Sequence, residues 1–245
     1  MIVQPFGFLA APAGAVEPVA GHYNYFNIGD ASSYPGTGTT VTNIGDNGTE
    51  DGTLNGGYTY TSPDKYIGVG DGSPDGNFSK YLQPVTWGSD FTFECGFGLN
   101  VGMTVATDQT SFMNVRNVSF YAGDNRPGYF LSHRTFALQG VAAYSLDTAV
   151  YTPGNNYIMA AVVSGTSLKI YINGSQTETI TISSDRPENN PGADTVRYGC
   201  FASGTTIPTG AYPYNFYYWR DYNNKALTDA EVLQNYNANK ADLGL

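Results

Sequence analysis

The chain has 245 residues with 20 Tyr, 13 Phe, 30 Gly and 13 Pro, but only 13% charged residues. That length accommodates one large β domain or two small ones and buries a sizeable core. The formal net charge is −10, from 21 acidic and 11 basic side chains. No Lys/Arg cluster interrupts that balance, which argues against a phosphate-backbone partner and hence nucleic acid. No apolar run approaches the roughly 18 residues of a spanning helix, so no membrane insertion is expected.

In chain order, residues 1–21 read as an extended N-terminal arm. Phe6 to Val19 is largely apolar, but Pro5, Pro12 and Pro18 break any helix. Ala11-Pro12-Ala13 loosely resembles a cleavage site, yet no Lys or Arg precedes the apolar stretch, which argues against a signal peptide. The arm is expected to pack on a neighbouring protein or on its own domain. Residues 22–80 are rich in Gly, Asp, Asn and Thr, with short strand candidates at Tyr58-Thr59-Tyr60 and Tyr66-Ile67-Gly68-Val69.

From Phe91 onward the strand pattern sharpens. Strands are predicted over 91–99, 117–122, 128–137, 157–163, 167–173, 177–182, 195–201 and 214–220. Phe91, Phe93, Cys95 and Phe97 share one apolar side of the first, which places Cys95 in a core as a free thiol rather than in a disulfide with Cys200. Leu168, Ile170 and Ile172 alternate toward one side, and Asn173-Gly174 fits a tight primed hairpin turn. His133 is expected at an exposed strand position. The aromatics from Phe216 to Trp219 are expected to alternate between the core and an inter-subunit face.

One helix is predicted, opening at Ala226 to Leu233. Thr228 and Glu231 form a capping box, flanked by Leu227 and Val232 at the positions of a hydrophobic staple. No internal period of 20–50 residues is present. The expected fold is all-β: a two-sheet antiparallel sandwich with one short C-terminal helix.

Three stretches resemble lectin-like jelly rolls of the laminin-G and concanavalin A type, common in bacterial surface proteins and phage particles. The first is the close of the chain, Arg220-Asp221-Tyr222-Asn223 through Leu227-Thr228-Asp229-Ala230-Glu231-Val232, one residue longer between Asn and Leu than the commonest spacing. The second is the meander from Tyr157 to Gly174. The third is the opening Asp30-Ala31-Ser32-Ser33-Tyr34-Pro35-Gly36-Thr37-Gly38-Thr39-Thr40 with Gly52-Thr53-Leu54, which is similar to the phage and bacterial branch. The resemblance implies a laminin-G-like β-sandwich over residues 22–245.

It also implies sugar binding. Lectin sites combine an aromatic platform with Asn, Asp and backbone groups for hydroxyls. Candidates are Tyr121 with Asp124, Asn125 and Arg126 in one loop, and Tyr212 and Tyr214 near the C-terminal strand. With 20 Tyr in the chain, a purely structural role is the better explanation for each of these residues taken singly.

Catalytic patterns are thin. Glycoside hydrolases on this jelly roll place paired carboxylates on one strand, and retaining chemistry needs them roughly 5 Å apart. Here Glu94 has no carboxylate companion on its strand, while Glu50 and Asp51 sit in a Gly-rich loop. Neither His22 nor His133 lies near a Gly-x-Ser-x-Gly elbow, and the Cys and His spacing suits no zinc site. No enzymatic activity is expected.

No cofactor is required, although calcium has two candidate loops. Asp71, Ser73, Asp75 and Asn77 alternate like the opening of an EF-hand, but Leu82 occupies the place of its bidentate carboxylate. Gly45 to Gly52 is a second acidic loop, and turn chemistry accounts for both. The reading that unites these features is a non-enzymatic surface component of a tailed-phage particle, a fibre or decoration protein. Its partners would be other virion proteins through the arm and a host surface glycan, and unpaired sheet edges favour a homo-oligomer. The alternative is a secreted or cell-surface bacterial carbohydrate-binding module.

Overall fold

A computed structural model describes residues 16–46, 50–55, 59–62, 66–69, 77–81, 88–105, 112–117, 128–139, 142–185, 194–198 and 214–245. Its strands in chain order are β1 (Asn24–Asn27), β2 (Thr40–Val41), β3 (Gly52–Asn55), β4 (Thr59–Thr61), β5 (Tyr66–Val69), β6 (Asn77–Tyr81), β7 (Asp90–Leu99) and β8 (Met113–Asn117). They continue as β9 (Gly128–Leu131), β10 (Thr135–Gln139), β11 (Ala142–Ser145), β12 (Asn156–Ser164), β13 (Ser167–Ile172), β14 (Ser175–Thr181), β15 (Asp194–Tyr198) and β16 (Tyr214–Asn223). Helix α1 (Asp229–Asn239) and a 3-10 turn (Lys240–Leu243) close the chain.

The strands form two antiparallel sheets, so the expected all-β sandwich with a short C-terminal helix is the observed fold. One sheet runs β14-β13-β12-β7-β16-β5-β4, with β1 also paired to β16; the other runs β11-β10-β9-β8-β15-β6-β3-β2. The long strand β16 serves two neighbours on one edge, β5 through Tyr214–Phe216 and β1 through Tyr218–Asp221.

Alternation on β7 sets the layers. Phe91, Phe93, Cys95, Phe97 and Leu99 enter the core between the sheets, with Trp219, Phe216, Met159 and Phe136. Each fully buried side chain of this size stabilises by roughly 1.5–3 kcal/mol. Cys95 is a free buried thiol, as its place in the alternation predicts, and burial pushes its pKa well up.

The outer face of the first sheet is covered as well. Helix α1 lies across it, with Val232 and Leu227 packed on Val162, Tyr171 and Tyr222. The Thr228 hydroxyl accepts from the Glu231 amide, and the Glu231 carboxylate accepts from the Thr228 amide, completing the capping box. Residues 16–21 of the expected arm run along the helix. The Val19 amide donates to Asn235 Oδ1, Tyr222 donates to the Val19 carbonyl, and Gln234 donates to the Glu17 carbonyl.

Three expectations change. Residues 128–137 do not form one strand but a tight hairpin, β9–β10, turning through Ser132, His133 and Arg134. Ser132 drives the turn, since its hydroxyl accepts from the Arg134 and Thr135 amides. His133 is therefore not exposed: it is 0% accessible, its Nε2 sits 3.0 Å from the Val105 carbonyl, and its ring meets Tyr151 edge-on. In the Phe216–Trp219 run, Phe216 and Trp219 face the core, but a register shift between Phe216 and Tyr218 breaks the expected alternation and turns Tyr217 and Tyr218 both outward, and that outer side is no inter-subunit face. Tyr217 and Tyr218 are buried against Tyr25, Ile158 and Leu243 of the same chain.

Candidate functional site

Strand register defines two rims of the sandwich. Asn117 pairs with Asp194, and Gly128 pairs with Gln139; these strand ends make one rim. Leu99 pairs with Tyr214, which pairs with Val69, and Tyr198 pairs with Phe78; these ends make the opposite rim. Tyr121, Asp124, Asn125 and Arg126 fall between β8 and β9, which end and begin at the first rim, and lie outside the described residues. Tyr212, Asp71, Ser73 and Asp75 also lie outside them, between strands that end at the second rim.

Two candidates fall on described strands. Tyr214 starts β16 but is 1% exposed and packs edge-to-face on Phe112, with ring centroids 5.4 Å apart. Its position in the strand points it into the core, so it is corrected from a sugar platform to a core residue. Asn77 begins β6 and pairs with Asn55. Among the described residues, no group of three His, Cys, Asp or Glu side chains is placed to hold a metal ion. In the second acidic loop, Asp51 accepts from the Asn43 amide, and Asp46 lies 3.5 Å from His22. Both carboxylates tie down the start of the domain.

Glu94 does find a partner, of opposite charge. Arg220 Nη2 donates to Glu94 Oε1, and neither side chain reaches solvent. Tyr218 donates to Oε1 at 2.8 Å and Asn235 to Oε2 at 2.9 Å. The guanidinium lies 4.8 Å from the Tyr25 ring centroid and 5.4 Å from that of Tyr218. Burial alone would lower the Arg220 pKa, but Glu94 and the surrounding tyrosine hydroxyls hold it above its ordinary value. This polar cluster fastens α1 to the sheet and has no access to a ligand.

Among the described residues, the second rim carries a cleft of about 330 Å³. It is lined by Asn155, Asn156, Tyr157, Asn173, Leu243 and the glycine and leucine that follow. Two carboxamides are preset by backbone: Asn156 Nδ2 donates to the Leu243 carbonyl at 2.8 Å, and Asn173 Oδ1 accepts from the Ile158 amide at 2.9 Å. Asn173 holds φ +52° and Gly174 φ +77°, the primed hairpin turn predicted from sequence. Val101 stands 84% exposed on the loop beside Gly154. An array of amides and a few apolar groups, with no charged side chain in the lining, is chemistry suited to a hydroxyl-rich ligand. Sequence reading did not single out Asn156 or Asn173 as cleft residues, since the Asn-Gly pair carries only a turn signal.

A second groove of about 480 Å³ runs between β12–β13 and the start of α1. Its charged groups are already satisfied, with Lys169 and the Tyr171 hydroxyl both on Asp229 at 3.2 and 2.6 Å.

No family model matches the chain, and no curated protein matches its sequence. Solved structures match the fold. The botulinum neurotoxin serotype D ligand binding domain, solved in complex with N-acetylneuraminic acid, aligns with a TM-score of 0.64 at 10% identity over 88% of this chain and 50% of that one. The binding domain of botulinum neurotoxin DC, in complex with rat synaptotagmin II, aligns at 0.58 with 13% identity, over 89% and 51%. Trypanosoma rangeli sialidase aligns at 0.57 with 14% identity, over 92% of this chain but 34% of its own. This chain therefore spans about half the length of the toxin domains and a third of the sialidase. At these identities the likeness is one of fold, an antiparallel β-sandwich.

Proposed function

We propose that the chain is a non-enzymatic, glycan-binding sandwich displayed on the surface of a tailed-phage particle. The observation that carries the binding part is the amide-lined cleft on one rim of a fold shared with a domain solved bound to N-acetylneuraminic acid. Glu94, the carboxylate at the middle of β7, is paired with Arg220 and buried beneath α1, out of contact with solvent. The sialidase likeness adds no catalytic reading, since it spans a third of that protein.

Display on a particle rests on the opening and closing motifs of the sequence. The arm would reach a neighbouring virion protein, with residues 16–21 holding its base on α1. Two experiments test the reading. Binding to a glycan array is expected, and its absence across the array removes the lectin function. Quantitative mass spectrometry of purified particles is expected to find the chain at a fixed copy ratio with residues 1–21 intact. A soluble product trimmed near residues 13–21 would instead make it a secreted carbohydrate-binding module.

A further inference from the structure

A row of alternating amides and glycines crosses the outer face of the helix-covered sheet at the second rim. Asn156 of β12 pairs with Gly98 of β7, Gly98 pairs with Asn215 of β16, and Asn215 pairs with Gly68 of β5. Directly paired residues of antiparallel strands project to the same side. Phe97, Leu99, Phe216 and Ile67 enter the core, so Asn156, Gly98, Asn215 and Gly68 all face outward. At 4.7–4.9 Å per strand the row spans roughly 14 Å.

Gly98 must lack a side chain because the Asn156 carboxamide lies over it. A Cβ on Gly98 would collide with Asn156 Oδ1 and come within 3.4 Å of Asn215 Cβ. Tyr66 stands two residues before Gly68 on the same face, half-buried, its ring 5.3 Å from that of Tyr217. Asn215 is likewise half-buried, and its carboxamide has no hydrogen-bond partner among the described residues. At the other end Asn156 is shared with the 330 Å³ cleft, where Asn173 leaves its amino group unclaimed among those residues.

We propose that this row, Tyr66–Gly68–Asn215–Gly98–Asn156, is the seat of a neutral oligosaccharide, with Tyr66 as its aromatic platform and the cleft as its terminal pocket. The inference rests on the glycan-binding reading and gives it a location and a ligand class. Carboxamides donate and accept at once, as vicinal hydroxyls do. Gly68 leaves the outer face beside Tyr66 and Asn215 without a side chain, the Asn156 carboxamide lies over Gly98, and an extended run suits more than one ring. No charged side chain is among the described residues of the row, so an acidic sugar gains nothing here over a neutral one.

The test uses the full chain. Neutral gluco-, galacto- and manno-configured oligosaccharides are screened beside their sialylated counterparts, and the tightest ligand is titrated calorimetrically into the native chain, Asn215→Ala, Asn215→Ser and Tyr66→Leu. The expected result is a neutral ligand whose Kd weakens about tenfold or more in each variant, equivalent to about 1.4 kcal/mol, with melting temperature unchanged in the Asn215 variants. A native chain that binds while all three variants match it locates the site elsewhere and leaves the lectin function standing. Binding confined to sialylated ligands overturns the neutral-ligand claim. A native chain that binds none of the panel removes both the row and the reading beneath it.

Discussion

Arg220 and Glu94 face each other as a directly paired couple on the two central strands of the helix-covered sheet, hydrogen-bonded and sealed from solvent. Each is the other's main electrostatic compensation in a region that excludes water. Removing one partner strands a buried charge and costs about 3–5 kcal/mol. Glu94→Leu and Arg220→Met are each expected to lower the urea midpoint by that equivalent. The double variant is expected to recover part of the loss, because Asn235 and Tyr218 still lose their acceptor. Independent, additive losses in the double variant would show that the two side chains are not coupled.

Asn235 joins three parts of the chain, accepting from the Val19 amide at 2.8 Å and donating to Glu94 and to the Tyr222 hydroxyl. Asn235→Ala should cost about 3 kcal/mol, since it breaks one bond to a charged group and two to neutral ones. It should also release residues 16–21 from the helix. Hydrogen exchange checks this directly: the Val19 amide is expected to become unprotected while amides of β12 and β13 stay protected.

His22 adds a pH dependence. Burial lowers its pKa below the ordinary 6.5, with Asp46 opposing and Arg220 reinforcing the shift. A group whose folded pKa is depressed binds fewer protons folded than unfolded in the window between the two values, so stability rises with pH there. The contribution is complete above about pH 6.5 and is lost as pH falls through the folded value. Chemical denaturation between pH 5 and 7 is expected to show this slope in the native chain and a shallower one in His22→Gln.

The β13–β14 turn separates two roles of Asn173, which tolerates φ +52° and accepts from the Ile158 amide. Asn173→Gly keeps the turn conformation and loses only the bond, for about 1 kcal/mol. Asn173→Ala also pays for a left-handed backbone, adding about 1–2 kcal/mol. Equal effects from the two substitutions would show that the backbone conformation carries no cost.

What could be read in the sequence was local. The Thr228–Glu231 box, the Asn173-Gly174 turn and the β7 alternation each depend on residues a few positions apart, and each is present as read. What escaped depended on pairing across the chain. Glu94 and Arg220 are 126 residues apart, and nothing near either names the other. Tyr214 reads as a loop-edge tyrosine until its register with Leu99 turns it inward. His133 reads as exposed because Leu131-Ser132-His133-Arg134 looks polar, yet the Ser132-driven turn folds the ring under the Val105 loop. The amide and glycine row has no linear signature, since its four members come from four strands. The one clue was Gly96 and Gly98 on the outer side of an otherwise bulky strand.

The central claim is that a neutral glycan binds on this row, and NMR titration tests it most directly. With the amide resonances assigned, the neutral oligosaccharide selected in the binding screen is added stepwise. Saturable shifts are predicted for the Asn215 and Asn156 side-chain amides and for the backbone amides of Gly98 and Gly68, with the Trp219 indole and the amides of α1 unmoved. Saturable shifts that cluster instead at the opposite rim, around Asn117 and Gly128, or no saturable shifts at all, would contradict the account.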